Sequence, residues 1–406
     1  MEYAGEKQKR LGLHVEKDGS VTLAGKTFYG MGLNYYDGFN RCIQNPDDIS
    51  YEDAMRRLSK AGIPFIRVSF NGYYPNSLKL YRDQPEAFFA LADRFIRAAE
   101  ENHIGVIPSL FWNYYSLPDL MQEPVRALGD PNSRTVKHAR QFTKDVVTRY
   151  RDSRAVWGWE VGNEYNLEAD LSSLGVFPPT APEQGTAETR SAADQLTSDD
   201  VVSFYKEVAR EVRLYDSYRL LTTGDAVHRE FMMHLRRGEG TQLDTQAEFE
   251  EGVAMFTPDP LDTISTHIYI YDEKRFGPDR MVGIEELLQV YKQIGQKNGK
   301  AVYFGEFAAF GTDEEGEQRG KQLLPRIFQA IRQADIPLSS PWNFEMQGMT
   351  HGSFSDHGTG SFCFDDVVKI NAEYVQKGLQ DCNEVWYNKE TSPCDAPCDT
   401  VREHRP

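Results

Sequence analysis

The sequence predicts a (β/α)8 barrel. Eight short apolar runs alternate with stretches of helical period along 406 residues. The runs carry apolar residues on both parities, as strands buried on both faces of a parallel sheet do. No Gly-x-Gly-x-x-Gly turn follows any run, which disfavours the alternative, a doubly wound sheet.

Taken in order, Lys17–Lys26, with Gly19 and Gly25, reads as a hairpin placed to plug the barrel bottom. The eight strands are expected at Phe28–Asn34, Phe65–Phe70, Gly105–Phe111, Val156–Gly162, Arg219–Thr223, Thr263–Tyr269, Ala301–Gly305 and Leu338–Trp342. A helix over Tyr51–Ala61 follows Ser50 as its expected N-cap, with Asp53 three residues on. Ala87–Asn102 sets Phe88, Leu91, Phe95 and Ala98 on one stripe. Arg134–Tyr150, Ser198–Tyr215, Ile284–Lys297, Arg319–Gln333 and Asp366–Gln380 have the same period. Two insertions, Glu168–Thr197 and Arg229–Asp262, follow the fourth and fifth strands, on the face where barrel loops shape a cleft. Residues 1–388 are expected to form one catalytic domain, and 389–406 a polar tail. Cys394 and Cys398 in that tail are either a disulfide or free thiols, and the cysteine spacing fits no zinc pattern.

A formal net charge of -17 argues against a nucleic-acid surface or an anionic membrane as partner and suits a neutral substrate. No apolar run reaches the roughly 18 residues of a membrane span. Met1–Arg10 is polar and lacks the apolar core of a signal peptide. The expected location is the cytoplasm, or outside it for a mature secreted or periplasmic form. Aromatic residues make up 12% of the chain, more than a core alone uses, and aromatic rings on loops suit the flat apolar faces of sugars.

The fourth strand reads Ala-Val-Trp-Gly-Trp-Glu-Val-Gly-Asn-Glu-Tyr-Asn from Ala155 to Asn166. It breaks at Gly162 and delivers Asn163 and Glu164 to the rim. The seventh reads Ala-Val-Tyr-Phe-Gly-Glu-Phe and ends in Glu306 by the same logic. Carboxyl ends of barrel strands carry the chemistry. Two carboxylates facing each other without a metal cluster point to glycoside hydrolysis. Glu160 shares parity with Glu164, so it should point inward, where a buried carboxylate needs a partner. By topology Arg67 is that partner.

Trp-Glu-Val-Gly-Asn-Glu and Phe-Gly-Glu-Phe resemble the two signatures of clan A glycoside hydrolases, family 5 most closely, over roughly Gly12–Gly378. The resemblance implies a retaining hydrolase of β-linked glucose- or mannose-containing oligo- or polysaccharides, with no metal or cofactor. Glu164 would be the acid/base and Glu306 the nucleophile. Arg67 matches the barrel arginine beside the nucleophile. In His267-Ile-Tyr269, the tyrosine would bond the nucleophile and the histidine would face the sugar. Trp342 matches the platform under the reacting sugar, and Asn163 would hold its 2-hydroxyl. Asn34, ending the first strand, is a further substrate candidate. Many members carry a histidine at the end of the third strand, where this chain has Phe111-Trp112-Asn113. Trp112 is therefore expected as an extra platform. Tyr35, Tyr36, Phe39, Tyr73, Tyr74, Tyr114, Tyr115, Tyr165 and Tyr271 would line the cleft. His351 and His357 are expected on a surface loop. Two other activities use the same residues: transfer of the sugar to a second sugar, and carbohydrate binding without catalysis.

Overall fold

The computed structural model describes residues 11–307, 313–349, 351–358 and 361–387. The tail at 389–406, with Cys394 and Cys398, lies outside the described residues. So does Met1–Arg10.

Eight parallel strands form the barrel. The first is split into Gly30–Met31 and Leu33–Asn34. The others are Phe65–Ser69, Gly105–Phe111, Gly158–Gly162, Leu220–Thr222, Thr263–His267, Ala301–Glu306 and Leu338–Ser339. Gly30–Met31 pairs with the eighth strand and Leu33–Asn34 with the second, so one stretch of chain closes the sheet on itself. The interruption falls at Gly32, where a Cβ would lie 2.5 Å from the Phe65 ring and 2.6 Å from the Phe65 carbonyl. Only glycine admits that approach.

Register brings the polar residues into line. Asn34 pairs with Arg67, Ser109 with Glu160, and Glu160 with Thr222. A bulge between Thr266 and His267 sets His267 opposite Glu306. Bulges re-aim side chains in this way beside functional sites.

Helices Ser50–Lys60, Pro85–Glu101, Arg134–Tyr150, Ser198–Tyr215, Ile284–Asn298, Glu314–Gln333 and Ser361–Gln376 surround the sheet. Each of the seven expected helices is present. The expected Ser50 cap is not: Ile49 holds the cap position, and the Asp48 carboxylate accepts the Ser50 N–H at 2.9 Å. Thr197 and Asp200 form a reciprocal capping box that starts the helix at Ser198 where the sequence placed it. Helices Gly38–Gln44, Pro75–Asp83 and Ser116–Met121 occupy loops, and Met232–Arg236 and Gln246–Phe256 occupy the second insertion. Sequence reading missed all five: four run nine residues or fewer, and Gln246–Phe256 lies in a stretch read as an insertion.

At the amino-terminal end of the barrel, Leu13–Val15, Val21–Leu23 and Lys26–Thr27 form a three-stranded antiparallel sheet. The Leu13 N–H donates to the Trp157 carbonyl at 2.8 Å, and Phe28 meets the Trp157 ring edge-on at 5.5 Å. Trp157 is fully buried, and burying such a ring stabilises the fold by about 3 kcal/mol. Among the described residues, no helix is long and apolar enough to cross a membrane.

Candidate active site

The site lies at the carboxyl ends of the strands. Gly162 ends the fourth strand where a Cβ would sit 2.8 Å from the Phe111 carbonyl. Two residues on, Glu164 adopts a left-handed backbone, φ 58° and ψ 27°. Its N–H donates to the Gly224 carbonyl at 2.9 Å. This conformation is uncommon for a non-glycine residue and is held here by the neighbouring loop.

Arg67 is the hub. It is fully buried. Its Nε donates to Glu160 at 2.8 Å and 2.9 Å, its Nη1 to Asn34 Oδ1 at 3.0 Å and Glu306 Oε1 at 2.5 Å, and its Nη2 to Asn163 Oδ1 at 2.8 Å. One cation thus serves Glu160 and Glu306, as the parity of Glu160 and the topology of Arg67 led one to expect.

Glu306 also accepts the Tyr269 hydroxyl at 2.7 Å. His267 Nδ1 lies 3.0 Å from Glu164 Oε1 and 3.5 Å from Glu306 Oε1. One oxygen from each carboxylate and one His267 nitrogen all lie within 4.8 Å of one another. Facing two carboxylate oxygens, of which the Glu306 anion can only accept, His267 Nδ1 is assigned the ring proton. Its buried Nε2 finds no partner among the described residues. These three side chains have the composition of a cation site, but Arg67 already supplies positive charge there, and the histidine presents a proton rather than a lone pair.

Burial pushes the Glu164 carboxyl above its usual range, with Arg67 pulling the other way. Burial also raises Glu306, which His267 and Arg67 lower, the Glu164 charge raises, and the Tyr269 bond lowers. His267 is pulled down to about 4, chiefly by burial, so it is neutral at neutral pH. Burial and then the Glu306 charge raise Tyr269, which stays a protonated donor.

Asn163 is half-buried, and with Oδ1 committed to Arg67 its Nδ2 has no partner among the described residues. Trp342 is half-buried beside Tyr36, with ring centroids 5.5 Å apart. Three expectations are corrected. Asn34 is fully buried, and its Nδ2 donates to the Gly305 and Ser340 carbonyls at 2.8 Å and 3.0 Å. With Oδ1 on Arg67 it has nothing left for a substrate. Trp112 is only 4% exposed and stacks on the Arg67 guanidinium, 4.6 Å from ring centroid to carbon. It roofs the arginine rather than offering a platform. His267 is buried and faces the carboxylates, not open cleft.

The aromatic list divides in the same way. Tyr36, Tyr73 and Tyr74 are half-buried, whereas Tyr35, Phe39, Tyr114, Tyr115, Tyr165 and Tyr271 are core residues. His357 is exposed, and His351, half-buried, lies 3.4 Å from Glu317. Sequence reading missed Ser109, whose hydroxyl donates to the Gly162 carbonyl at 3.0 Å and steadies the strand end. It also missed Asn166, which donates to the Ala226 carbonyl at 2.9 Å and ties the fourth-strand loop to the fifth. A serine and an asparagine near strand ends give no pattern that would single them out.

The model of the cellulase family, glycosyl hydrolase family 5, matches residues 23–346. No curated protein matches the chain. Among solved structures, an endo-1,4-β-mannanase from Rhizomucor miehei is similar with a TM-score of 0.61 at 14% identity, covering 89% of this chain and 99% of that one. A family 5 mannosidase from the same fungus gives 0.60 at 15% identity, with 91% and 100% covered. An exo-β-1,4-mannosidase from an Opitutaceae bacterium gives 0.61 at 15% identity, with 90% and 63% covered. At such identities the likeness is one of fold. The match of the family model over most of the barrel, with the paired glutamates at its carboxyl rim, makes this chain a member of glycosyl hydrolase family 5, an enzyme that hydrolyses O-glycosyl bonds.

Proposed function

We propose that the enzyme hydrolyses β-glycosides with retention of configuration, Glu306 acting as nucleophile and Glu164 as acid/base. The observation that carries this reading is the spacing: carboxylate oxygens of the two residues approach within 4.8 Å. Retaining enzymes separate their carboxyls by about 5–5.5 Å, whereas inverting enzymes leave about 6.5–9.5 Å for a water.

The donors divide the roles. Glu306 receives an arginine N–H and a tyrosine O–H, both of which favour its anion. Among the described residues Glu164 has one hydrogen-bond partner, the neutral His267. Of the two, Glu306 ionises first and attacks the anomeric carbon. Glu164 keeps its proton and gives it to the leaving oxygen. Once Glu306 is esterified its charge is gone, the Glu164 pKa falls, and Glu164 takes a proton from the incoming water. Tyr269 and Arg67 hold the nucleophile in place. Asn163 Nδ2 is the free donor for the 2-hydroxyl, and Trp342 is the ring for the sugar face.

For substrate, β-1,4-linked mannosides are the first choice, because the similar structures named above are mannanases and mannosidases. The family model, a cellulase model, favours β-glucans as the second reading. The test is hydrolysis of matched manno- and gluco-oligosaccharides followed by proton NMR in the first minutes. The expected initial product is the β-anomer; an initial α-anomer would overturn the retaining assignment.

A further inference from the structure

The chain that leaves the eighth strand is tied to the helix Ser50–Lys60 by one side chain. Arg57, on that helix, donates from Nη1 to Glu345 Oε1 at 2.9 Å and from Nη2 to Glu345 Oε2 at 2.6 Å. The same Nη1 donates to Asp356 Oδ1, and Nε donates to Asp53 Oδ2 at 2.8 Å. The guanidinium carbon stands 5.3 Å from the centre of the Phe344 ring. The two-pronged contact with Glu345 uses the planar fork that arginine has and lysine lacks. The Arg57 and Glu345 side chains are 20% and 25% exposed, so solvent screens this pair less than one on open surface.

Glu345 and Asp356 stand in two short segments that close on each other. The Glu345 N–H donates to Ser353 Oγ at 2.9 Å, and the Ser355 hydroxyl donates to Glu345 Oε1 at 2.6 Å. Glu345 has a left-handed backbone, φ 48°, which is uncommon for a residue with a Cβ and has to be held by its surroundings. Inside this closure lies Asn343, the residue after Trp342. It is fully buried. Its carbonyl accepts the Phe354 N–H at 2.8 Å, and its Oδ1 accepts the Met346 N–H at 3.4 Å. The barrel anchors the residues on either side: the Trp342 N–H donates to the Phe307 carbonyl at 2.8 Å, and the Phe344 N–H to the Asn34 carbonyl at 2.7 Å. Between those anchors, the bonds that Asn343 accepts come from the segments that Arg57 clamps.

We propose that Arg57 is a positioning residue for the reaction. By clamping Glu345 and Asp356 it holds the chain around Asn343, and so sets the Trp342 ring against the reacting sugar. The inference rests on the reading of Trp342 as the ring for the sugar face. Arg57 itself touches no substrate; it acts through the backbone next to Trp342.

The experiment measures KM and kcat separately on β-1,4-mannotetraose, or on the gluco-tetraose if that is cleaved better. The variants are Arg57→Gln, Arg57→Lys, Glu345→Gln, Trp342→Ala and Arg57→Gln combined with Trp342→Ala. A ring that is set correctly only part of the time weakens apparent binding by that fraction, so Arg57→Gln should raise KM by about 3–10-fold. A contact made equally with substrate and transition state acts on KM, so kcat should stay within about twofold. Arg57→Lys keeps the charge without the fork and should fall between. Glu345→Gln breaks the same pair from the other side and should also raise KM; it carries the test alone should Arg57→Gln not fold. A smaller folded fraction lowers apparent kcat and leaves KM as it is, so lost stability is not mistaken for lost positioning. In the Trp342→Ala background, Arg57→Gln should add less than about twofold to KM, because the two act as one unit. An unchanged KM in Arg57→Gln and Glu345→Gln would overturn the proposal. So would the same fold-increase in KM with and without Trp342. If Trp342→Ala alone left KM unchanged, the platform reading would fall, and this inference with it.

Discussion

Glu306 and Glu164 are written the same way in the sequence, as an apolar run, a glycine and a carboxylate, and the fold makes different residues of them. Glu306 ends a regular strand, its side chain 6% exposed, held by Arg67 and Tyr269. Glu164 stands past the strand on a left-handed residue, its side chain 29% exposed, with the neutral His267 as its one hydrogen-bond partner among the described residues. The difference comes from adjacent strands rather than from the motif. The second and sixth strands supply donors to the Glu306 corner. At the Glu164 corner the chain bends away toward a cleft. A buried, clamped carboxylate suits attack at a fixed carbon. A more open one suits exchange of protons with groups that arrive and leave.

Replacing the clamped carboxylate should have the largest effect. Glu306→Ala is expected to abolish steady-state turnover of every glycoside while the chain still folds, because Arg67 keeps Glu160 as its partner. Near-wild-type turnover would remove Glu306 from the nucleophile role. Next comes Glu164→Ala, whose loss should depend on the leaving group. Natural sugars should lose about 10²–10⁴-fold, the value of general acid–base assistance. Activated aryl glycosides should still form the glycosyl-enzyme and accumulate it, visible as a burst. Equal losses on both substrate types would place the proton donor elsewhere.

Arg67→Met attacks what the two corners share. It leaves Glu160 and Glu306 buried without their cation, which costs about 3–5 kcal/mol. Denaturant unfolding should show that loss, and Arg67→Lys should show less of it. An unchanged midpoint would mean the ion pairs contribute nothing to the fold. The pH profile sharpens the contrast further. Activity needs Glu306 ionised and Glu164 protonated, so it should fall at low pH as Glu306 gains a proton and at high pH as Glu164 loses one. Because burial raises Glu164, the alkaline limb should lie above the ordinary carboxyl range. In Glu306→Gln the neighbouring charge is gone, and a carbon NMR titration of Glu164 should give a lower pKa than in wild type. The smallest effect is expected from Trp112→Phe. Its ring covers Arg67, so it should cost about 0.5–1 kcal/mol of stability with little change in KM. A large rise in KM would restore Trp112 as a sugar platform.

Much of this was legible in the sequence because barrel strands announce themselves. Each is a short apolar run, and the fourth and seventh end in glycine followed by a polar residue. That pattern placed Glu164 and Glu306 on one rim; Arg67 followed from the parity of Glu160 and the family resemblance, and Tyr269 from the resemblance. It could not say which polar residues are already occupied. Asn34 looks free in the sequence, but the Gly305 and Ser340 carbonyls, about 270 and 306 residues away, use its amide. Trp112 looks like a platform until Arg67 is found beneath it. His267 turns toward the carboxylates because of a one-residue bulge that no side-chain pattern signals.

The central claim is the division of labour between the two glutamates, and azide tests it most directly. Glu306→Ala and Glu164→Ala would each be incubated with an activated aryl β-glycoside and sodium azide, and the configuration of the glycosyl azide read by NMR. In Glu306→Ala, azide replaces the missing nucleophile on the open face, and the account predicts an α-glycosyl azide, inverted. In Glu164→Ala, azide attacks the glycosyl-enzyme where water normally arrives, and the prediction is a β-glycosyl azide, retained. The same anomer from both variants, or the two reversed, would contradict the assignment.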